Sequence, residues 1–329
     1  MQRLPAFVLH RPASALAAAS LLAADPGARL LAGGTDLMPN LRRGIEQPPT
    51  LVALEGVRDI GEIAYDAGGV SIGAGVTLAQ LVAESRITRD WPAITQAATS
   101  VAGPSHRNAA SLGGNLCQDT RCVYYNQSAW WRAANDHCLK RGGDTCHVAP
   151  QGRRCHAAYA GDMAPALLVL DAQVELLSRG GVRRVPLAAL YHDDGAAHLL
   201  LARDEVLARV HVPAAARPKL RSGYRKARTR AAMDFPLAGV ACALTLQANA
   251  IVELRVAITG TNPSPFLLAG CEAFAGRRVD AELLVQLGKN VQKQVSPMRS
   301  TVTPSNYRRL AAAALAQRLL QDLAAATGD

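Results

Sequence analysis

Apolar residues fall in runs whose period changes along the chain. From Ala13 to Ala24 they are nearly continuous, with Pro12 and Ser14 as a start signal and Asp25-Pro26-Gly27 as a stop, which predicts an alanine-rich helix. Leu30-Leu31 predicts a short strand running into Ala32-Gly33-Gly34-Thr35-Asp36-Leu37. Leu51 to Leu54 predicts a second strand, and the alternation in Val70-Ser71-Ile72-Gly73-Ala74 a third. Thr77 and Gln80 have the spacing of a capping box ahead of Leu78, Leu81 and Val82. Pro92 to Val101 sets Ile94, Ala97, Ala98 and Val101 on one helical face. Pro165 to Leu177 predicts a helix and then a strand, and Val212 to Arg221, with Pro213 and Pro218, reads as a linker. Beyond it, Gly239 to Leu246 and Leu254 to Ile258 read as strands. Asp280 to Val295 carries a stripe of Leu283, Leu284, Leu287, Val291 and Val295, and Ser305 is placed to cap a last helix from Tyr307 to Ala325. The pattern predicts an α+β protein: strands and helices in alternation, then a separate C-terminal α+β unit.

Composition narrows this picture. Hydrophobic residues make up 49% of the chain and aromatics only 4%, so Ala, Leu and Val must fill the core. No apolar run reaches the roughly 20 residues of a membrane span. The run Ala15 to Ala24, behind Arg3 and Arg11, has the length of a leader's apolar segment. It stops at a turn and leads straight into the glycine loop, which predicts a retained segment and a cytoplasmic protein. The net charge of +10 comes as scattered pairs such as Arg42-Arg43, Arg183-Arg184 and Arg308-Arg309. That scatter reads as a solvated or subunit-facing surface and not as a nucleic-acid footprint. A basic protein also suits anionic cofactors and an acidic electron donor.

The segment from Cys117 to Gly161 follows neither period. It holds five of the seven cysteines, and long irregular segments in compact domains are usually organised by function or by a metal. An odd cysteine count clustered in this way points to ligands or packing residues more than to disulfides. Cys122, Cys138, Cys146 and Cys155 are separated by 15, 7 and 8 residues, which is neither a paired CxxC zinc site nor a ferredoxin spacing. Four thiolates suit a tetrahedral zinc ion or a [4Fe–4S] cubane alike. Cys117 reads as buried against the glycine loop, and Cys242 and Cys271 as packing residues.

Gly33-Gly34-Thr35-Asp36 follows a strand, where two glycines let backbone N–H groups converge on a phosphate. Ser111-Leu112-Gly113-Gly114-Asn115 repeats the design with two polar side chains. Neither matches the G-x-G-x-x-G fingerprint or a P-loop, so a Rossmann nicotinamide site is not indicated.

Taken in order, four motifs carry a specific resemblance. They are Ala32 to Leu37, Gly103-Pro104-Ser105-His106-Arg107-Asn108-Ala109-Ala110-Ser111-Leu112-Gly113-Gly114-Asn115, Gly161-Asp162-Met163-Ala164-Pro165-Ala166 and Tyr224-Arg225-Lys226. The chain resembles the FAD-binding flavoprotein subunits of xanthine dehydrogenases and carbon monoxide dehydrogenases, over nearly its whole length. The resemblance implies a two-part, PCMH-type FAD-binding domain over 1–216 (subdomains 1–54 and 55–216) and a C-terminal domain of the CO dehydrogenase flavoprotein type over 217–329. It implies FAD contacts at Ala32, Gly33, Gly34, Thr35, Asp36, Leu37, Ala102, Gly103, His106, Ser111, Gly113, Gly114, Asn115, Asp162 and Lys226, the last near the isoalloxazine.

Ordinary members of that family pass almost directly from the second loop to the Asp162 motif, whereas this chain carries an insert over 117–161. Its Asn115 to Cys122 stretch, Tyr125-Asn126-Gln127-Ser128 and Trp130-Trp131-Arg132 resemble the 4-hydroxybenzoyl-CoA reductase branch. There the insert binds [4Fe–4S], which implies Cys122, Cys138, Cys146 and Cys155 as ligands. Arg121, Lys140, Arg141, Arg153 and Arg154 would offset the cluster's charge. The resemblance further implies a molybdopterin-binding large subunit, a small subunit with two [2Fe–2S] clusters, a dimer of such heterotrimers and a ferredoxin-like donor docking near the cluster. The reaction implied is reductive dehydroxylation of 4-hydroxybenzoyl-CoA. A hydroxylase subunit passing electrons outward, and a zinc-stapled FAD protein, are the alternatives.

Overall fold

The structure is a computed structural model that describes residues 4–214, 220–299 and 303–326. Three sheets organise it. Strands β1 (Val8–His10), β2 (Arg29–Leu31) and β3 (Thr50–Ala53) form a parallel sheet in the order β1-β3-β2. Strands β4 (Ile63–Asp66), β5 (Gly69–Gly73), β6 (Gln173–Ser178), β7 (Gly181–Pro186) and β8 (Val206–Pro213) form an antiparallel sheet, β4-β5-β8-β6-β7. Strands β9 (Arg221–Ala227), β10 (Ala238–Gln247), β11 (Ala250–Thr259) and β12 (Phe266–Leu267) form a second antiparallel sheet, β12-β11-β10-β9. The expected boundary between 216 and 217, and Pro218 of the expected linker, lie outside the described residues. Val212 and Pro213, read as the start of that linker, instead finish β8, where Val212 pairs with Val70.

The strongest sequence signals match the elements found. Ser14 caps the helix Ala15–Ala24 by accepting from the Ala17 amide. Thr77 and Gln80 close a full capping box on Leu78–Ala83. Asp280 caps Ala281–Gln294 through the Leu283 amide. The last helix begins at Ser305 itself, with Pro304 at the cap position and no side-chain cap, so Ser305 is not the cap.

Strand β10 explains how the C-terminal sheet is held. Its residues are apolar on both faces because both faces are covered. Val240, Cys242 and Leu244 pack under the helices Ala281–Gln294 and Ser305–Ala325. Ala241 and Ala243 alternate to the other side and join the main core with Ala257, Met163 and Ala97. Cys242 and Cys271 are buried packing residues, as read from the sequence. Arg308, read there as part of a surface pair, is buried instead and donates to the carbonyls of Leu237 and Gly260, tying the last helix to the residues just before β10 and just after β11. Burial pushes its pKa down to about 10.

Candidate functional site

A cleft of about 820 Å³ opens where the parallel sheet, the five-stranded antiparallel sheet and the insert meet. Of the fifteen residues expected at a cofactor, all but Gly103 and Lys226 line it. Its rim also takes Met233, Asp234 and Phe235 from the turn between β9 and β10.

The first glycine loop leaves β2 and enters the helix Leu37–Arg42. Among the described residues, the amides of Gly33, Gly34, Thr35 and Asp36 donate no hydrogen bond. Four consecutive free N–H groups at a cleft wall make an anion nest. Gly34 turns the chain at φ +69, in the left-handed region that an L side chain resists. Gly33 is glycine for another reason: a Cβ there would overlap the carbonyl of Ala109. The two cofactor loops touch at that point.

The second loop corrects its sequence reading. Ser111 caps a short helix, Leu112–Leu116, by accepting from Gly114 N at 3.1 Å. Leu112 N and Gly113 N donate to Val76 O and Ala74 O at 2.9 and 2.8 Å. Its amides are therefore spent inside the protein, and it is not a second nest. What it presents to the cleft is the glycine surface of Gly113 and Gly114 and the Ser111 and Asn115 side chains. Asn115 Oδ1 accepts from Met163 N at 3.0 Å, which fixes the second loop to the Asp162 motif. Ala102 enters this wall at φ +43, a left-handed conformation in a non-glycine residue. Gly103 stands behind it at the cap of Pro104–Ala109, and His106 Nδ1 is buried at the wall with no partner among the described residues.

Asp162 stands at the start of the helix Met163–Leu168, but its side chain caps nothing. Its carboxylate receives Tyr224 OH at 2.5 Å and Lys226 Nζ at 3.0 Å. Tyr224 and Lys226 are two apart on β9 and share one face. Burial pushes the Asp162 carboxyl up, against the pull of the Lys226 ammonium and the Tyr224 hydroxyl. Lys226 is not a surface lysine, since its side chain is 2% exposed, and it also donates to Ser100 O at 3.1 Å. It acts on the cleft from behind Asp162.

The segment 117–161 is strapped to the chain that follows the first glycine loop. Arg121 pairs with Asp36 and donates to Asn40 Oδ1 at 3.2 Å. Arg43 donates to Asn126 O, Tyr125 OH stands 3.0 Å from both Glu46 and Asp119, and Arg141 reaches Glu46 at 3.3 Å. Lys140 Nζ lies 2.6 Å from Asp119, and Arg154 2.9 Å from Asp193. These four basic side chains are each paired with a carboxylate, and Lys140 still favours the Cys155 thiolate. The insert is also less irregular than expected, with a helix over Ala129–Ala134 and a 3-10 turn over Leu139–Arg141.

Cys122, Cys146 and Cys155 are buried and Cys138 is half-buried. Burial raises the Cys122 thiol pKa, with Cys146 and Cys138 adding to the rise; burial takes Cys155 to about 11, with Cys146 and Cys122 adding. The four thiols therefore share one neighbourhood. Among the described residues no three His, Cys, Asp or Glu side chains converge to hold one metal ion. Cys117 stands apart, half-buried at the cleft, with its pKa raised to about 12 by burial.

Sequence reasoning missed Arg121 as a partner of Asp36, Tyr224 as a partner of Asp162, and the Met233 to Phe235 rim. Tyr224 was within reach, because Tyr224-Arg225-Lys226 read as a strand puts the first and third side chains together.

Residues 5–215 match the family model described as FAD binding domain in molybdopterin dehydrogenase. The chain belongs to that family. Residues 222–323 match the CO dehydrogenase flavoprotein C-terminal domain. The aldehyde oxidoreductase FAD-binding subunit PaoB of Escherichia coli K12 is 34% identical over 259 residues, covering 75% of this chain and 79% of that protein. The xanthine dehydrogenase FAD-binding subunit of Escherichia coli O157:H7 is 27% identical over 321 residues, 97% of this chain and 96% of that protein. The fold is shared with carbon monoxide dehydrogenase from Oligotropha carboxidovorans at TM-score 0.82 and 22% identity, covering 99% of this chain and 100% of that one. The chain is thus an FAD-binding member of the molybdenum hydroxylase family, with the α+β architecture expected. No helix among the described residues is long and apolar enough to cross a membrane.

Proposed function

We propose that this chain is the electron-relay subunit of a molybdenum hydroxylase-type complex, with FAD in the cleft and a [4Fe–4S] cluster on Cys122, Cys138, Cys146 and Cys155. The observation that carries the FAD site is the row of free amides at Gly33 to Asp36 on the cleft wall. A pyrophosphate supplies the acceptors they lack. The bare Cα of Gly114 gives a flat ring room to approach, while Gly113 is glycine to clear Ala74, and Asp162, with Lys226 behind it, is the polar group beside them. Bound flavin supplies chemistry that the side chains cannot: it exchanges electron pairs with one partner and single electrons with another.

Four thiols in one neighbourhood suit a cubane, where each sulfur sits on its own iron, and the resemblance of the motifs around Cys122 favours it over zinc. The partners of this reading are a molybdopterin-binding large subunit and a small [2Fe–2S] subunit, in line with the named subunit of xanthine dehydrogenase among the relatives. For the substrate, the motifs around Cys122 favour 4-hydroxybenzoyl-CoA, reduced with two electrons and two protons and released from its hydroxyl as water, with a ferredoxin-like donor. A second reading, oxidation with electrons leaving through this chain, is favoured by the 34% identity to an aldehyde oxidoreductase subunit.

Metal, sulfide and flavin analysis of the purified complex tests the cofactors. One FAD here, and iron with sulfide beyond that of the small subunit, is the expected result; zinc in place of the extra iron removes the cluster. Cys122→Ser, Cys138→Ser, Cys146→Ser and Cys155→Ser should each lose the extra iron and keep FAD, while Cys117→Ser keeps both. Flavin reoxidation by 4-hydroxybenzoyl-CoA, against flavin bleaching by an aldehyde, separates the two directions.

A further inference from the structure

Asp36 poses an electrostatic difficulty. It is the last residue of the amide nest and lines the same cleft, so its carboxylate repels the anion that the nest is shaped to hold. Arg121 answers it. The guanidinium pairs with Asp36, donates to Asn40 at 3.2 Å and lies 5.2 Å from the Phe235 ring centre across the cleft rim. Its Nε is buried and has no hydrogen-bond partner among the described residues. Lys140 and Arg141, on the same side of the cleft, are answered by Asp119 and Glu46. Arg121 also sits at the neck of the insert. Its backbone exchanges hydrogen bonds of 2.7 and 2.8 Å with Ala158, so its position is set by that bridge and not by the cysteine loop beyond it.

Building on the FAD reading above, we infer that Arg121 is a cofactor-binding residue contributed by the insert: it neutralises Asp36 beside the nest and turns its free Nε–H toward the pyrophosphate. The neck of the insert thereby completes the phosphate site, while the loop it carries serves a separate centre. An unpaired buried N–H beside an anion site is costly until an acceptor arrives, so the guanidinium is poised for one.

The test is FAD titration by fluorescence quenching into the full complex after the flavin has been stripped. Arg121→Met should weaken FAD binding on the order of tenfold to a hundredfold, the usual loss for a charge-assisted hydrogen bond. Adding Asp36→Asn to Arg121→Met should recover part of that loss, because the repulsion is removed with its counter-charge. Asp36→Asn alone should bind FAD within about threefold of wild type, about half of the tenfold step that 1.4 kcal/mol represents. Arg121→Met with unchanged affinity overturns the inference, and so does a double variant weaker than Arg121→Met. If Arg121→Met does not fold by circular dichroism, Arg121→Lys takes its place. It keeps the charge but lacks the fork, and a wild-type affinity there removes the Nε contact. Wild-type complex that takes up no FAD at all would sink the FAD reading itself, a distinct result.

Discussion

Tyr224 OH stands 2.5 Å from Asp162 Oδ1, while Lys226 Nζ takes the other carboxylate oxygen at 3.0 Å. A strand of the C-terminal sheet thus holds the acid that faces the cleft, and the charge presented there belongs to the trio and not to one residue. Lys226→Met should cost ~3–5 kcal/mol, the usual penalty for leaving a buried partner unpaired. Asp162→Asn combined with Lys226→Met should recover most of it, in melting temperature and in flavin midpoint potential alike. A double variant as unstable as Lys226→Met would show that the lysine works without Asp162.

The glycines separate by what they touch. Gly33→Ala collides with the Ala109 carbonyl, and Gly34→Ala strains φ +69 by about 1–2 kcal/mol. Gly114→Ala meets only Ser111 Oγ at 3.0 Å and Ala32 Cβ at 3.9 Å. The first two should lower the melting temperature of the flavin-free protein most, whereas Gly114→Ala, which crowds only the Ser111 hydroxyl, should lower it less and lose affinity for FAD. Equal melting of all three flavin-free variants would count against the loop-to-loop contact.

His198 gives a pH signature. It is 6% exposed, its Nε2 lies 2.9 Å from Gln118 O, and burial pushes its pKa below the ordinary 6.5. Above that value the ring is neutral folded and unfolded, and its contribution is intact. As pH falls below about 6.5 the unfolded chain takes up a proton that the folded chain resists, so stability falls. Melting temperatures from pH 7.5 to 5 should decline in wild type and decline less in His198→Asn. Parallel slopes would assign the acid sensitivity elsewhere.

Elements with a local code were legible in the sequence: the Ser14 cap, the Thr77–Gln80 box and the Leu283 stripe each need only neighbours within a few residues. Strand β7 was not, because Val182-Arg183-Arg184-Val185 is an exposed edge whose partner, not its own apolarity, makes it a strand. Strand β1 was missed for a similar reason, since three residues gain their pairing only from Thr50 to Val52. In the site, the glycine loops were visible because glycine marks backbone need. The partners of Asp36 and Asp162 were hidden, because Arg121 and Tyr224 reach them across 85 and 62 residues of chain.

The alternation in β10 carries a lesson for recombination. Its alanine face, Ala241 and Ala243, closes on the helix Met163–Leu168 as part of the main core, so the natural cut between cofactor domain and C-terminal unit runs through packed side chains. Grafting the C-terminal unit of a relative onto this chain would set foreign side chains against that helix, and any residue larger than alanine there would wedge the sheet away. The same displacement would carry Tyr224 and Lys226 off Asp162. A working hybrid must therefore take its crossover partner together with the 163–168 helix, making the inheritable module of this protein larger than its domain.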